Sequence, residues 1–229
     1  MNPVLVALDL PDMEWAEALA RRLVPHVGGF KVGLELMMSE GPEAVSRISS
    51  IGLPVFADAK LHDIPNTAAA AARQLGARGA RWVTAHAAGG AAMLEAVAES
   101  LGETGGMLAV TVLTSLGEDD LAGTGVTGTV VSQVRRLSAL AVSAGAEGVV
   151  CSVKEIAAAK EVSTGLLVVT PGIRLDPSHR HDQRRVATPG EAVAAGADLI
   201  VVGREITGAA DPETAAIEIA DLVARRPPV

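Results

Sequence analysis

The chain has 229 residues, of which 49% are hydrophobic, 20% charged and only 2% aromatic, with a formal net charge of -8 and a pI near 5.1. That length and an aliphatic core suit one large α/β unit, and a single domain over residues 1–229 is expected. The acidic balance excludes nucleic acid and anionic membrane as general partners, so an anionic small molecule would need a local cationic pocket.

The single cysteine, Cys151, ends an apolar run and reads as a buried reduced thiol. Met1-Asn2-Pro3 lacks the basic region of a signal peptide, and Val4 to Leu8 is too short for a membrane span. A soluble cytoplasmic protein is expected.

Short apolar runs recur along the chain: Val4–Leu8, Gly29–Gly33, Leu53–Ala57, Trp82–Ala85, Met107–Leu113, Gly148–Cys151, Leu166–Thr170 and Leu199–Val202. Each fits a strand buried on both faces, as parallel sheets require. Between them lie segments with helical spacing, such as Trp15, Leu19 and Leu23, then Ala91, Leu94, Val97 and Leu101, then Val130, Val134, Leu137 and Leu140. Ser152 to Glu155 and Thr188 to Glu191 match the capping box, and Asp211-Pro212 is a further helix start. Gly76, Gly145 and Gly196 are placed as C-cap glycines. Eight strands alternating with about eight helices predict a closed (β/α)8 TIM barrel, with a doubly wound sheet as the other reading of the pattern. Two long connections, Thr114 to about Thr127 and Pro171 to Val186, follow strands and so belong to the C-terminal face, where barrel active sites gather.

Polar residues at strand ends would converge on that face. In Phe56-Ala57-Asp58-Ala59-Lys60-Leu61-His62-Asp63-Ile64-Pro65-Asn66-Thr67 an apolar run gives way to a helix start. Side chains two apart on a strand share a face, so Asp58 and Lys60 are expected to point the same way, and Asp63 to complete a negative-positive-negative cluster. A solvated ion pair with Asp63 as an N-cap is the plainer alternative. Lys31, embedded in Phe30-Lys31-Val32-Gly33, needs partners if buried, and Asp9 and Asp58 are the natural ones. At about 4 Å and an effective dielectric of 20, each such contact is worth roughly 4 kcal/mol. A fixed array of this kind suits a reaction in which negative charge leaves a position and a proton arrives there, with Lys60 as donor.

A second cluster suits an anion. Barrel phosphate sites use the loops after strands seven and eight, where this chain has Arg174 and Gln183, then Gly203-Arg204. His179, Arg180, His181, Asp182, Arg184 and Arg185 read as a solvated loop, and no metal site is expected among them.

On these residues the chain resembles the orotidine 5'-phosphate decarboxylase family over essentially its whole length. The most specific match is Asp58 through Thr67, joined by Ala7-Leu8-Asp9, Phe30-Lys31-Val32-Gly33, Leu113-Thr114-Ser115, Thr170-Pro171-Gly172-Ile173-Arg174, Asp182-Gln183-Arg184-Arg185 and Val202-Gly203-Arg204. The resemblance implies a cofactor-free, metal-free decarboxylase making UMP. In it Lys60 protonates C6, Asp58 lies near the leaving carboxylate, and Lys31 and Asp63 complete the charged network. Asp9 and Thr67 contact the ribose, Thr114 the pyrimidine, and Arg174, Gln183, Gly203 and Arg204 the phosphate. It also implies a homodimer in which Asp63 and Thr67 reach the neighbouring site. A magnesium-dependent sugar-phosphate decarboxylase or aldolase of related fold, and a non-catalytic nucleotide-binding barrel, are the alternatives. Lys31 and the Asp63 to Thr67 continuation speak against the first.

Overall fold

The computed structural model describes residues 2–103, 105–176 and 185–224. Among them are eight strands: β1 (Val4–Ala7), β2 (Gly29–Val32), β3 (Val55–Leu61), β4 (Ala80–His86), β5 (Gly106–Val110), β6 (Gly148–Val150), β7 (Leu167–Thr170) and β8 (Leu199–Val202). They pair in chain order, all parallel, and β8 returns to β1, so the sheet closes into a barrel. The doubly wound alternative is thereby excluded.

Around the barrel run α1 (Met13–Leu23), α2 (Leu34–Glu40), α3 (Glu43–Ser49), α4 (Pro65–Ala77), α5 (Ala91–Leu101) and α6 (Glu118–Gly123). The second half adds α7 (Val130–Ser143), α8 (Ile156–Val162), α9 (Pro189–Ala194), α10 (Arg204–Thr207) and α11 (Pro212–Ala224). No helix of the described residues is long and apolar enough to cross a membrane.

Side-chain alternation divides the core in two. Leu5, Ala7, Phe56, Trp82, Leu108, Val169, Leu199 and Val201 fill the barrel interior, while Val4, Val6, Phe30, Val32, Ile200 and Val202 pack under the helices. The inward series continues at period two, which carries Leu5 and Ala7 on to Asp9 just past the end of β1, and Phe56 on to Asp58 within β3. Close approach at the opposite rim needs glycine: a Cβ on Gly148 would lie 2.4 Å from the Leu167 carbonyl oxygen.

Several local expectations change. The α1 stripe is rotated, with Met13, Ala16, Leu19, Ala20 and Leu23 buried and Trp15 51% exposed. Residues four apart drift about 40° around a helix, so Trp15 falls on the flank of the face that Leu23 and Ala16 centre. Gly76 lies inside α4; the left-handed residue after that helix is Gly79 (φ 87°), whereas Gly145 and Gly196 do adopt positive φ after α7 and α9. The Thr114 to Thr127 connection holds α6, whose Asp120 carboxylate accepts from the Gly117 N–H at 2.8 Å. The capping box at Thr188 and the cap at Asp211 form as expected, whereas Ser152 caps a short 3-10 turn by accepting from the Lys154 N–H and gives its hydroxyl to Glu155, without the reciprocal box.

Candidate active site

At the C-terminal mouth of the barrel lies a cavity of about 590 Å³ lined by Asp9, Lys31, Asp58, Lys60, Thr114, Arg174, Gly203 and Arg204 among others. Its volume is in the range of small-ligand sites. Eight of the eleven residues singled out in the sequence therefore share one space.

Four charges alternate along its wall. Lys31 Nζ lies 2.8 Å from Asp9 Oδ1 and 3.6 Å from Asp58 Oδ2, and Asp58 Oδ2 lies 2.7 Å from Lys60 Nζ. Lys31 is 7% and Asp58 9% exposed, so both are ions taken largely out of water and stable there only because each has a partner on either side. Burial alone would raise the Asp58 carboxyl; the charges of Lys31 and Lys60, with hydrogen bonds from Lys60 and Thr84, outweigh it and hold the group below its ordinary value. Gly33 leaves room for the array, since a Cβ there would meet Asp9 Oδ1 at 2.2 Å and Lys31 Nζ at 2.6 Å.

Lys60 is placed by an irregularity in β3. Ala57 pairs with Val83 and Leu61 with Ala85, so three residues of β3 face the single residue Thr84 of β4. Within that bulge Lys60 adopts φ 48°, the one positive φ outside glycine among the described residues. Strain of this kind persists where surrounding contacts over-determine it. Here the Lys60 backbone N–H donates to Thr84 Oγ1 at 2.8 Å, and the same hydroxyl donates to Asp58 Oδ1 at 3.1 Å. Thr84 went unnoticed in the sequence, because a threonine in an apolar strand is what β-propensity alone provides.

The expected cluster of Asp58, Lys60 and Asp63 does not form within the chain. Beyond Leu61 the backbone turns outward, Asp63 is exposed, and its Oδ1 accepts from the Ile64 N–H at 2.7 Å. Thr67, in the first turn of α4, is exposed as well, and neither residue lines the cavity. Exposed Leu34, Met38 and Ile64 lie on the adjoining elements.

On the anion side, Arg174 is buried, its Nη1 donating to the Ile173 carbonyl at 2.8 Å and its Nε lying 3.8 Å from Glu205 Oε1. Gly203 and Arg204 follow β8 directly and face the same space. Gln183, and His179, Arg180, His181, Asp182 and Arg184, lie outside the described residues. Arg185 does not belong to a solvated loop: it is buried, and its guanidinium is engaged by three carbonyls of the loop after β5. Among the described residues no group of three or more His, Cys, Asp or Glu could hold a metal. Cys151 lines the cavity wall but is 1% exposed, and burial, reinforced by Glu155, pushes its thiol up to about 12. It is a wall group and not a nucleophile.

Residues 2–219 match the profile of the family described as orotidine 5'-phosphate decarboxylase / HUMPS. The chain belongs to that family. Among its relatives, a protein of Anaeromyxobacter sp. (strain K) named orotidine 5'-phosphate decarboxylase is 51% identical, over 95% of this chain and 96% of its own length. One of Thermobifida fusca with the same name is 48% identical over 95% and 94%. The crystal structure of orotidine 5'-phosphate decarboxylase from Lactobacillus acidophilus superposes with a TM-score of 0.84 at 35% identity, covering 97% of this chain and 99% of that one. The orotidine 5'-phosphate decarboxylase / HUMPS barrel is thus shared along its length.

Proposed function

We infer that the chain decarboxylates orotidine 5'-phosphate to UMP and carbon dioxide, the last step of de novo UMP synthesis, without a cofactor. The observation that carries this reading is the run Asp9–Lys31–Asp58–Lys60, which ends on a strained lysine in the same cavity as Arg174, Gly203 and Arg204.

The 5'-phosphate is held by Arg174, Arg204, the Gly203 backbone and Gln183, which aims the base into the barrel. Asp9 and Thr67 contact the ribose and Thr114 the pyrimidine. As the bond from C6 to its carboxylate breaks, the electron pair stays on C6, where the ring offers no adjacent carbonyl to receive it. Lys60 supplies a fixed cation beside that carbon and passes a proton to it, so carbon dioxide leaves and a C6–H bond forms. Solvent then returns a proton to the amine. Asp58, 2.7 Å from Nζ, holds the amine in place. Phosphate contacts far from C6 raise the rate by orienting the base.

Asp63 and Thr67 complete the site from a second copy of the chain, residues 1–229 acting as one catalytic barrel in a homodimer. Their exposure in one chain supports this, as do the exposed apolar side chains Ile64 (68%), next to Asp63, and Met38 (78%) on α2. The buried thiol of Cys151 suits a cytoplasmic enzyme.

Protein stripped of metal with EDTA is expected to consume orotidine 5'-phosphate, followed by loss of its absorbance. Activity that vanishes on chelation and returns with magnesium overturns the reading in favour of sugar-phosphate chemistry. Mixing inactive Lys60→Ala and Asp63→Ala proteins under subunit exchange should restore turnover, because mixed dimers hold one intact site; no recovery rules out shared sites.

A further inference from the structure

The loop between β5 and α6 has little regular structure of its own to hold it, yet it presents Thr114 to the cavity. Leu113 and Leu116 close a turn, the Leu116 N–H donating to the Leu113 carbonyl at 2.9 Å, with Thr114 and Ser115 at its tip. Three carbonyls around that turn converge on one side chain. Arg185 Nη1 donates to Leu116 O at 2.7 Å, and Nη2 donates to Leu113 O at 2.9 Å and Val112 O at 3.3 Å.

The guanidinium is itself held from behind. Its Nε lies 3.7 Å from Glu155 Oε2, a carboxylate 2% exposed that accepts from Ser152 Oγ after β6. Nε has no hydrogen-bond acceptor among the described residues, so this contact is ionic. The backbone at Arg185 is fixed too: Ile173 and Ala187 form a parallel bridge, with the Arg174 N–H donating to Ala187 O at 2.9 Å and the Ala187 N–H to Gly172 O at 3.1 Å.

We propose that Arg185 is a positioning residue for the decarboxylation: it fixes the Leu113–Leu116 turn, and so Thr114, against the base of the loop that carries Arg174. The proposal rests on the reading of Thr114 as the pyrimidine contact. Arginine suits the place because the three carbonyls are met by two separate nitrogens of one rigid fork, a spacing that the single point charge of a lysine ammonium does not reproduce. Without it, carbonyls in a buried setting lose their donors and the turn is free to shift. A shift of about 1 Å at a substrate contact is enough to cost roughly 100-fold in rate. Arg185 touches no reacting atom; it links the loops after β5, β6 and β7 so that pyrimidine and phosphate contacts keep their spacing.

The test is a double-substitution cycle on the full-length enzyme with Arg185→Gln, Thr114→Ala and the pair. Arg185→Gln alone is expected to lower kcat/KM by roughly 10- to 100-fold, yet by less than about threefold when Thr114 is already alanine. Millimolar guanidinium should recover part of the loss in Arg185→Ala, which a purely structural defect would not allow. Equal losses in both backgrounds, or full activity in Arg185→Gln, overturn the proposal. If Thr114→Ala itself leaves kcat/KM unchanged, the reading of Thr114 fails first and takes this proposal with it. Should Arg185→Gln not fold, Arg185→Lys keeps the charge beside Glu155 and runs through the same cycle.

Discussion

Lys60 Nζ lies 2.7 Å from Asp58 Oδ2 although the two residues are only two apart on one strand. Their Cα atoms on a regular strand would be about 6.6 Å apart with parallel side chains, and it is the turn of Lys60 to φ 48° that lets the ammonium fold back onto the carboxylate. Thr84 holds both ends of that turn.

Thr84→Val keeps the shape of the side chain and removes both hydrogen bonds. The Lys60 N–H and one lone pair of Asp58 lose their partner, at a cost of roughly 1–3 kcal/mol in stability. With the amine no longer held, kcat should fall about 10- to 100-fold while KM changes little. Steady-state kinetics beside thermal melting distinguish this from simple loosening, which would lower Tm and leave kcat intact.

Lys60→Ala separates binding from chemistry. Arg174, Gly203 and Arg204 also line the cavity and are untouched, so UMP affinity measured by calorimetry should stay within about tenfold. Turnover should fall by at least about 10,000-fold, since both the proton donor and the cation beside C6 are gone. A variant that still turns over at a comparable rate removes the proposed mechanism.

Gly33→Ala and Gly190→Ala are a matched pair. The first places a methyl group 2.2 Å from Asp9 Oδ1 and 2.6 Å from Lys31 Nζ, whereas at Gly190, within α9, a Cβ meets nothing within 4 Å. We expect Gly33→Ala to part Asp9 from Lys31 and lose roughly 100-fold in kcat/KM. Gly190→Ala should be as active as wild type and up to about 1 kcal/mol more stable. Equal activity in the two variants would show that the Asp9–Lys31 contact is dispensable.

The strands, the barrel and the Asp9–Lys31–Asp58–Lys60 wall were legible because they follow from periodicity: an inward face is every second residue, and a lysine among apolar neighbours has to find a carboxylate. Other features were not. Nothing in Asp58-Ala59-Lys60 announces a bulge in which three residues face Thr84, because the extra length is defined only by the pairing with β4. Asp63 looked like a third member of the cluster, since spacing along the chain does not reveal where a strand turns outward. Arg185 looked like one more loop charge. Its burial depends on carbonyls some seventy residues earlier, which no local pattern records.

Lys31→Met tests what holds Asp58 ionised. The folded carboxyl lies below its ordinary value of 3.8, so its stabilising contribution is present above that value and is lost as pH falls through the lowered one. Replacing the largest of the favourable influences with an apolar side chain leaves burial to push the carboxyl up. The acid limb of the kcat profile should therefore move to higher pH, and stability at neutral pH should drop by roughly 3 kcal/mol as a buried pair loses its cation. An unmoved acid limb would mean that Asp58 ionisation does not set it.

His86 ends β4, its ring 5.5 Å from that of exposed His62. Burial, then the nearby His62 and Lys60, lower its value below 6.5, with Asp58 opposing. A histidine that resists protonation when folded but accepts a proton when unfolded makes the native state lose stability as pH falls from about 6.5 through the lowered value. Urea melts at intervals between pH 7 and pH 5 should show that decline, and His86→Asn, which has no proton to gain, should flatten it. The slope belongs to His86 only if the same series on His62→Asn keeps most of the decline; removing that neighbour lets the His86 value rise towards 6.5 and makes the loss smaller without abolishing it.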